Sequence, residues 1–254
     1  MEQALERIAA ARPRVAAELE RPHAEEALLA GVVLDLAAGG ALDALGPAVG
    51  AEGSFEAALL WGADPLTGVE DLRLAAALRE VAPGAGRAVL LDAEPDLVVV
   101  SAETVVAVDA TVGRPGHAAA RAARGEDVPP RLLAGVSDAL ERHGIALPPD
   151  LLRRAYAPAR LAAVTLTLAD ALERRAVTVA LARRAVDLLR PERDDATAWS
   201  DAAAAVLHGG EGVANVEIRA LSWLQVADRL AEDPRAAGAV ERIRSHPVLA
   251  AGRR

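Results

Sequence analysis

Two short valine-rich runs lie close together in the stretch EPDLVVVSAETVVAVDAT, which covers residues 94–111. Runs of this length and composition are typical of buried strands, because branched side chains pack well on a pleated sheet. Only three residues, at 101–103, separate the two runs, and a loop of that length can close a hairpin. The sequence therefore predicts paired strands at 97–100 and 104–108.

Segments on either side of this hairpin extend the prediction to a mixed sheet. The apolar spacing at 69–81 indicates a helix, and the run Ala-Val-Leu-Leu at 88–91 indicates another strand. Downstream, a long helical pattern at 151–173 precedes an alternating apolar segment at 177–181. A helical crossover of this kind connects parallel strands. The predicted order is helix, three strands, helix and strand.

The rest of the chain is predicted to be mainly helical. The segment 54–61 fits either a short helix or a strand. We expect an N-terminal helical region at 1–64 that packs on a core at 65–254, together forming one compact domain. Further helices are predicted at 2–19, 24–36, 132–143, 197–207, 222–231 and 235–245.

Composition excludes several kinds of site. The chain has no cysteine, which excludes disulfides, thiolate metal sites and cysteine nucleophiles. It also has no lysine, so all 28 basic side chains counted as Lys and Arg are arginine, and no lysine chemistry is available. The formal net charge is −9, and binding of nucleic acid would therefore need a local basic patch.

Neither a membrane span nor a secretion signal is visible in the sequence. Apolar runs stay well short of the roughly 20 residues that a helix needs to cross a bilayer. The first residues lack the basic segment and the apolar segment of a signal peptide. We therefore expect a cytoplasmic protein with no membrane partner.

The residues around the hairpin resemble the motifs of the PD-(D/E)XK, or restriction-endonuclease-like, nuclease superfamily. Asp96, which follows a proline, resembles the family's "PD" element, and the segment from Asp109 to Thr111 resembles its "(D/E)XK" strand. Glu70 resembles an acidic residue that such families place on an upstream helix. The resemblance covers about 65–184. It implies an α/β fold with an α-β-β-β-α-β mixed-sheet core and additional N- and C-terminal helices.

The resemblance also implies a chemistry. Members of the family hydrolyse phosphodiesters with Mg²⁺ held by carboxylates, and here Glu70, Asp96 and Asp109 would be the metal ligands. The family's lysine lies two residues after the second acid, a position occupied in this chain by Thr111. A hydroxyl cannot replace that charge, but Arg114 could contact phosphate. The implied catalytic residues are Asp96, Asp109, Thr111 and Arg114.

Each of these residues also has a purely structural interpretation. Asp96 suits a turn, Asp109 an ion pair or a strand edge, and Glu70 the favourable N-terminus of a helix. Thr111 suits an ordinary strand. Arginines could form a phosphate-binding face if they converge beside Asp109. They are Arg114, Arg121, Arg124, Arg153, Arg154, Arg160, Arg174, Arg175, Arg183 and Arg184.

Two functions follow from these interpretations. The first is a divergent Mg²⁺-dependent nuclease with weakened or lost activity that acts on or binds nucleic acid. The alternative is a non-catalytic binding or assembly module that retains the nuclease fold. An accidental resemblance on another α/β scaffold, and oligomerisation of the chain, both stay open at this point.

Overall fold

Five strands form one open mixed sheet in the computed structural model of the protein. They lie side by side in chain order, and their pairing is antiparallel from the first to the third and parallel from the third to the fifth. The strands are β1 (Phe55–Leu60), β2 (Leu97–Ser101), β3 (Thr104–Ala110), β4 (Arg175–Ala182) and β5 (Val216–Ser222). The structure describes residues 2–21, 24–86, 90, 94–110, 128–154, 156–182 and 216–250.

Eleven α-helices lie within these described residues, together with short 3₁₀ turns at Leu42–Ala44 and Pro234–Ala236. None of these helices is long and apolar enough to cross a membrane. The helices are α1 (Glu2–Ala11), α2 (Pro13–Leu19), α3 (Glu25–Ala38), α4 (Leu45–Val49), α5 (Leu72–Val81), α6 (Pro130–Arg142), α7 (Pro149–Arg154), α8 (Tyr156–Ala171), α9 (Trp223–Leu230), α10 (Ala237–Ser245) and α11 (Pro247–Ala250).

An apolar layer covers each face of the sheet. The first layer packs α3, α4, α9 and α10 against strand residues that include Leu97 and Val99. The second layer packs α5, α6 and α8 against the alternate strand residues, such as Val98 and Val100. Successive residues of β2 therefore enter opposite layers, which explains why this strand is apolar from Leu97 to Val100.

Three of the predicted strands are confirmed. The segments predicted at 97–100, 104–108 and 177–181 lie in β2, β3 and β4. The predicted crossover is also present, because α7 and α8 connect β3 to its parallel neighbour β4. The helix predicted at 151–173 is divided between α7 and α8, and Pro158 is the third residue of α8. Proline is tolerated in the first turn of a helix, because a backbone N–H at that position would have no acceptor within the helix.

The first predicted strand has a different outcome. Residues 88, 89 and 91 lie outside the described part of the chain, and Leu90 is helical, so the strand prediction is wrong at that residue. Its place beside β2 is taken by β1, which comes from the ambiguous segment 54–61. The region 1–64 therefore contributes a strand to the sheet as well as helices, and the boundary at 64 stays a prediction.

The remaining helix predictions are mostly confirmed. The prediction at 2–19 is wrong in one respect, because the predicted single helix is divided at Arg12 into α1 and α2. Pro13 begins α2, and a proline at that position cannot continue the hydrogen bonding of α1. The helix predicted at 197–207 lies outside the described residues.

Candidate functional site

The two aspartates singled out in the sequence lie together at one end of the hairpin. The register pairs Leu97 with Val108, so the next pair along it is Asp96 and Asp109. The backbone N–H of Ala110 donates a hydrogen bond of 2.7 Å to Oδ2 of Asp96. This bond ties the carboxylate of Asp96 to the end of β3, beside Asp109.

Both aspartates belong to the same side of the sheet. Val105 and Ala107 of β3 enter the second layer, and by alternation Asp109 lies on that side too. Val98 of β2 enters the same layer, and the same alternation carries Asp96 there. A shared metal ion would need both carboxylates on one face, and the metal role of the two aspartates stays a prediction.

Arg160 of α8 reaches the site from the second layer. Its Nη2 donates to Oδ2 of Asp109 over 3.1 Å. The Arg160 side chain is 12% exposed and that of Asp109 is 29% exposed, so the ion pair lies at the edge of the interior. The crossover connection determines this contact, because α8 packs across β3 before the chain enters β4.

The electrostatics of the site centre on Asp96. Burial is the largest cause and the negative charge of Asp109 the second, and together they raise the pKa of Asp96 to about 8. The charges of Glu25 and Glu26, in the first turn of α3, add smaller contributions of the same sign. The hydrogen bond from Ala110 opposes the shift but does not cancel it. The carboxyl group of Asp96 therefore keeps its proton to a higher pH than an ordinary aspartate does.

The third predicted metal ligand, Glu70, faces a different group. Nη2 of Arg12 lies 4.0 Å from Oε1 of Glu70. The same guanidinium binds Glu94 through two hydrogen bonds, from Nε over 2.6 Å and from Nη2 over 3.0 Å. The described ion-pair contact of Glu70 is thus with Arg12. The structure does not bring Glu70 into a described contact with Asp96 or Asp109, and its metal role stays a prediction.

Several residues predicted for the site lie outside the described part of the chain. Thr111 and Arg114 are among them, as are Arg121, Arg124, Arg183 and Arg184. Their roles in catalysis or phosphate binding stay predictions. Among the described arginines of the set, Arg153 is exposed on α7.

Two arginines of the predicted basic face lie at the other end of the sheet. Arg175 pairs in register with Thr104, five residues before Asp109 along β3, a separation of about 16 Å at 3.3 Å per residue. Arg174 binds Glu56 over 2.9 Å, and Arg175 binds Glu52 over 2.5 Å. These two arginines stabilise the hairpin end of the sheet and do not surround Asp109.

Sequence reasoning missed three features of this region. It included Arg160 only as one of many arginines and did not pair it with Asp109. It did not identify the carboxylates of Glu25 and Glu26 as neighbours of Asp96. Arg12 and Glu94 were missed entirely, although Glu94 stands two residues before Asp96, and an arginine directly before a proline marks a helix break.

The number of carboxylates at the site bears on whether it can hold Mg²⁺. Among the described residues, no group of three or more His, Asp or Glu side chains could hold a metal ion. Mg²⁺ is commonly bound through only one or two carboxylates, with water and phosphate oxygens completing the octahedron. Asp96 and Asp109 supply two such carboxylates, at adjacent positions of the hairpin. The residues present therefore fit a Mg²⁺ ion that is shared with a phosphate ligand.

Comparison with protein-family models, curated proteins and solved structures gives no significant match. The inference of function therefore rests on the geometry of the site.

Proposed function

We propose that the protein is a divergent PD-(D/E)XK nuclease that binds the phosphodiester backbone of nucleic acid together with Mg²⁺, with weakened or lost cleavage activity. The observation that carries the proposal is the placement of Asp96 and Asp109. Asp96 lies directly before β2, opposite Asp109 of the antiparallel strand β3, and Arg160 binds Asp109 from the crossover helix.

The order of the elements supports the fold part of the proposal. Three antiparallel strands, β1 to β3, are followed by a helical crossover to the parallel strand β4. The helix α3 precedes β1, and its first turn is close enough for its charges to act on Asp96. The helix that was expected before the three strands, α5, lies instead between β1 and β2. With α5 treated as an insertion and α3 as the first helix, the order is compatible with the α-β-β-β-α-β core of the resembling family.

Each residue has a definite task in the proposed site. Asp96 and Asp109 would hold the ion, and the N–H of Ala110 donates to the carboxylate of Asp96 and orients it. Mg²⁺ supplies, when bound, neutralisation of phosphate charge and a lowered pKa for its coordinated water. Arg160 of α8 would supply a positive charge from the protein to the bound phosphate.

Weak activity follows from the missing lysine. The chain contains none, and the position that carries this charge in the resembling family is Thr111. Loss of one preorganised transition-state contact costs about 10²–10³ in rate in well-studied hydrolases. We therefore expect slow cleavage of DNA or RNA, or none.

The ion pair between Arg160 and Asp109 favours the second candidate function. A carboxylate already neutralised by a guanidinium attracts a metal ion less strongly. In a non-catalytic binding or assembly module, this pair would serve only to hold α8 against β3.

Metal binding separates the two candidates. We would titrate Mn²⁺, a paramagnetic substitute for Mg²⁺, into the wild type and into Asp109→Asn, and follow free Mn²⁺ by electron paramagnetic resonance. The proposal expects the substitution to weaken binding at least 10–100-fold, roughly the effect of removing a group that merely orients a ligand. Asp228→Asn is the control, because Asp228 also forms an ion pair with an arginine, Arg244, far from the site.

Two results would count against a nuclease-like site. One is the absence of Mn²⁺ binding by the wild type, and the other is equal binding by wild type and Asp109→Asn. The lysine argument has its own test, in which Thr111→Lys should increase Mg²⁺-dependent cleavage of a labelled DNA. Fast cleavage by the wild type, abolished by Asp109→Asn, would show that the missing lysine had been given too much weight.

A further inference from the structure

We propose that Arg160 is the phosphate-contacting residue of this site, and that it acts as the counter-ion of Asp109 until nucleic acid and metal bind together. This inference rests on the proposed function, because it assigns the phosphate-binding role within the same site.

The position of Arg160 carries the first step. Its guanidinium lies 3.1 Å from a carboxylate that is the candidate ligand of Mg²⁺. A phosphate oxygen shared with an ion at Asp96 and Asp109 would therefore lie within reach of the same guanidinium. Arginine is well suited to this task, since its planar group donates to phosphate through two N–H bonds at once.

The surroundings of Arg160 carry the second step. Tyr156 lies one helical turn earlier on α8, and residues four apart share one face of a helix. Burial raises the pKa of the Tyr156 phenol, and the charge of Arg160 lowers it, so the two side chains are close. A phosphate bound at Arg160 would therefore have the Tyr156 hydroxyl as a neighbouring donor.

Charge carries the third step. Among the described arginines of the predicted basic face, Arg174 and Arg175 are bound to glutamates at the other end of the sheet, and Arg153 stands exposed on α7. Arg160, in contrast, contacts Asp109 of the aspartate pair. It therefore supplies, from the helix, the charge that the strand position Thr111 cannot supply.

A consequence distinguishes this role from a structural one. Arg160 and a metal ion compete for the negative charge of Asp109, so the metal should bind weakly to the free protein. A phosphate between the two cations removes the competition, because it attracts both of them. Binding of nucleic acid and binding of metal should therefore strengthen each other, by the same factor in both directions.

The test compares Arg160→Gln with the wild type in two binding assays. In the first, Mn²⁺ binding is measured without nucleic acid, and the substitution should tighten it by about 5–150-fold, the usual range of coupling between sites. In the second, fluorescence anisotropy of a labelled DNA duplex is followed in EDTA over a series of salt concentrations. The slope of log affinity against log salt should become shallower by about one, the value expected when one phosphate contact is lost.

Two further variants make the test specific. Arg160→Lys keeps the charge but loses the two-pronged donor, so its salt slope should match the wild type while its affinity for DNA falls. Arg244→Gln removes the arginine of the distant ion pair with Asp228 and should change neither measurement. Circular dichroism of each variant checks that it is folded.

The outcomes separate this inference from the function on which it rests. If the wild type binds DNA and Mn²⁺ but Arg160→Gln leaves both the salt slope and the Mn²⁺ affinity unchanged, the role of Arg160 is refuted and the proposed function stands. If the wild type binds neither Mn²⁺ nor DNA, the proposed function fails and this inference fails with it. A shallower slope together with tighter Mn²⁺ binding supports both.

Discussion

Removing the guanidinium of Arg12 should destabilise the protein strongly. Arg12 is 3% exposed and the Glu94 side chain 8%, and two hydrogen bonds of 2.6 and 3.0 Å join them across 82 positions of the chain. The variant Arg12→Met fills a similar volume but leaves the Glu94 carboxylate in the interior without this partner. Breaking a buried ion pair on one side typically costs about 3–5 kcal/mol.

That cost is a large part of the free energy of unfolding of an ordinary domain, which is about 5–15 kcal/mol. We would measure it by urea denaturation, followed by circular dichroism. The double variant Arg12→Met, Glu94→Leu removes both charges and should recover most of the loss, because an apolar pair of similar volume is often as stable as a buried ion pair. Arg7→Met, on the exposed side of α1, should change stability by about 0.5 kcal/mol or less.

The decisive comparison is between the single and the double variant. A loss below about 1 kcal/mol for Arg12→Met would refute the reasoning, since that is the range of a solvent-exposed ion pair. A double variant as unstable as the single one would also refute it, because the cost would then not arise from the buried charge of Glu94. If both expectations hold, the ion pair between Arg12 and Glu94 connects the N-terminal helices α1 and α2 to the segment before β2 that carries Asp96.

Two other predictions concern the site and the second layer. Because the pKa of Asp96 is raised to about 8, the folded protein binds a proton there that the unfolded chain has already released, so stability should fall as pH rises from about 4 to about 8. Asp96→Asn retains an acceptor for the Ala110 N–H. In thermal unfolding, this variant should be more stable than the metal-free wild type near pH 8 but not near pH 4. An equal difference in stability at both pH values would contradict the pKa shift. Gly135→Ala should cost about 1–3 kcal/mol in urea denaturation, because its Cβ would lie 2.3 Å from the carbonyl oxygen of Val81. Gly238→Ala is the control within a helix, because the added Cβ would have its nearest neighbour at 3.6 Å and no loss of stability is expected. Equal losses of stability at the two positions would show that the protein relieves the crowding at Gly135.

The parts of the fold that sequence predicted best are those determined by neighbouring residues. The hairpin of β2 and β3 is visible because its valine runs are uninterrupted and its loop is short. The strand β1 was ambiguous because FEAALL contains good helix formers and is buried only over its second half. Its identity as a strand comes from pairing with β2, a contact that local propensity does not encode.

The same distinction applies to the site. Asp96 and Asp109 are separated by one hairpin, so the pairing of strands predicts that they meet. Arg160 is 51 positions from Asp109, and only the path of the crossover brings the two together. Glu70 was chosen because it stands near the start of a helix, a position that also suits a residue with no metal role. Its neighbour Arg12 could not be foreseen without the packing of α1.

The order of the strands in the sheet also has a consequence for synthesis of the chain. Because the strands pair in chain order, a ribosome delivers β1, β2 and β3 before β4 exists. During that interval β3 is an unpaired edge of apolar residues, the kind of edge that invites joining to another nascent chain. Asp109 is the one charged residue of β3, and a charge on an edge strand discourages such joining. The carboxylate proposed to hold metal in the finished protein is thus also placed to protect the unfinished one from aggregation.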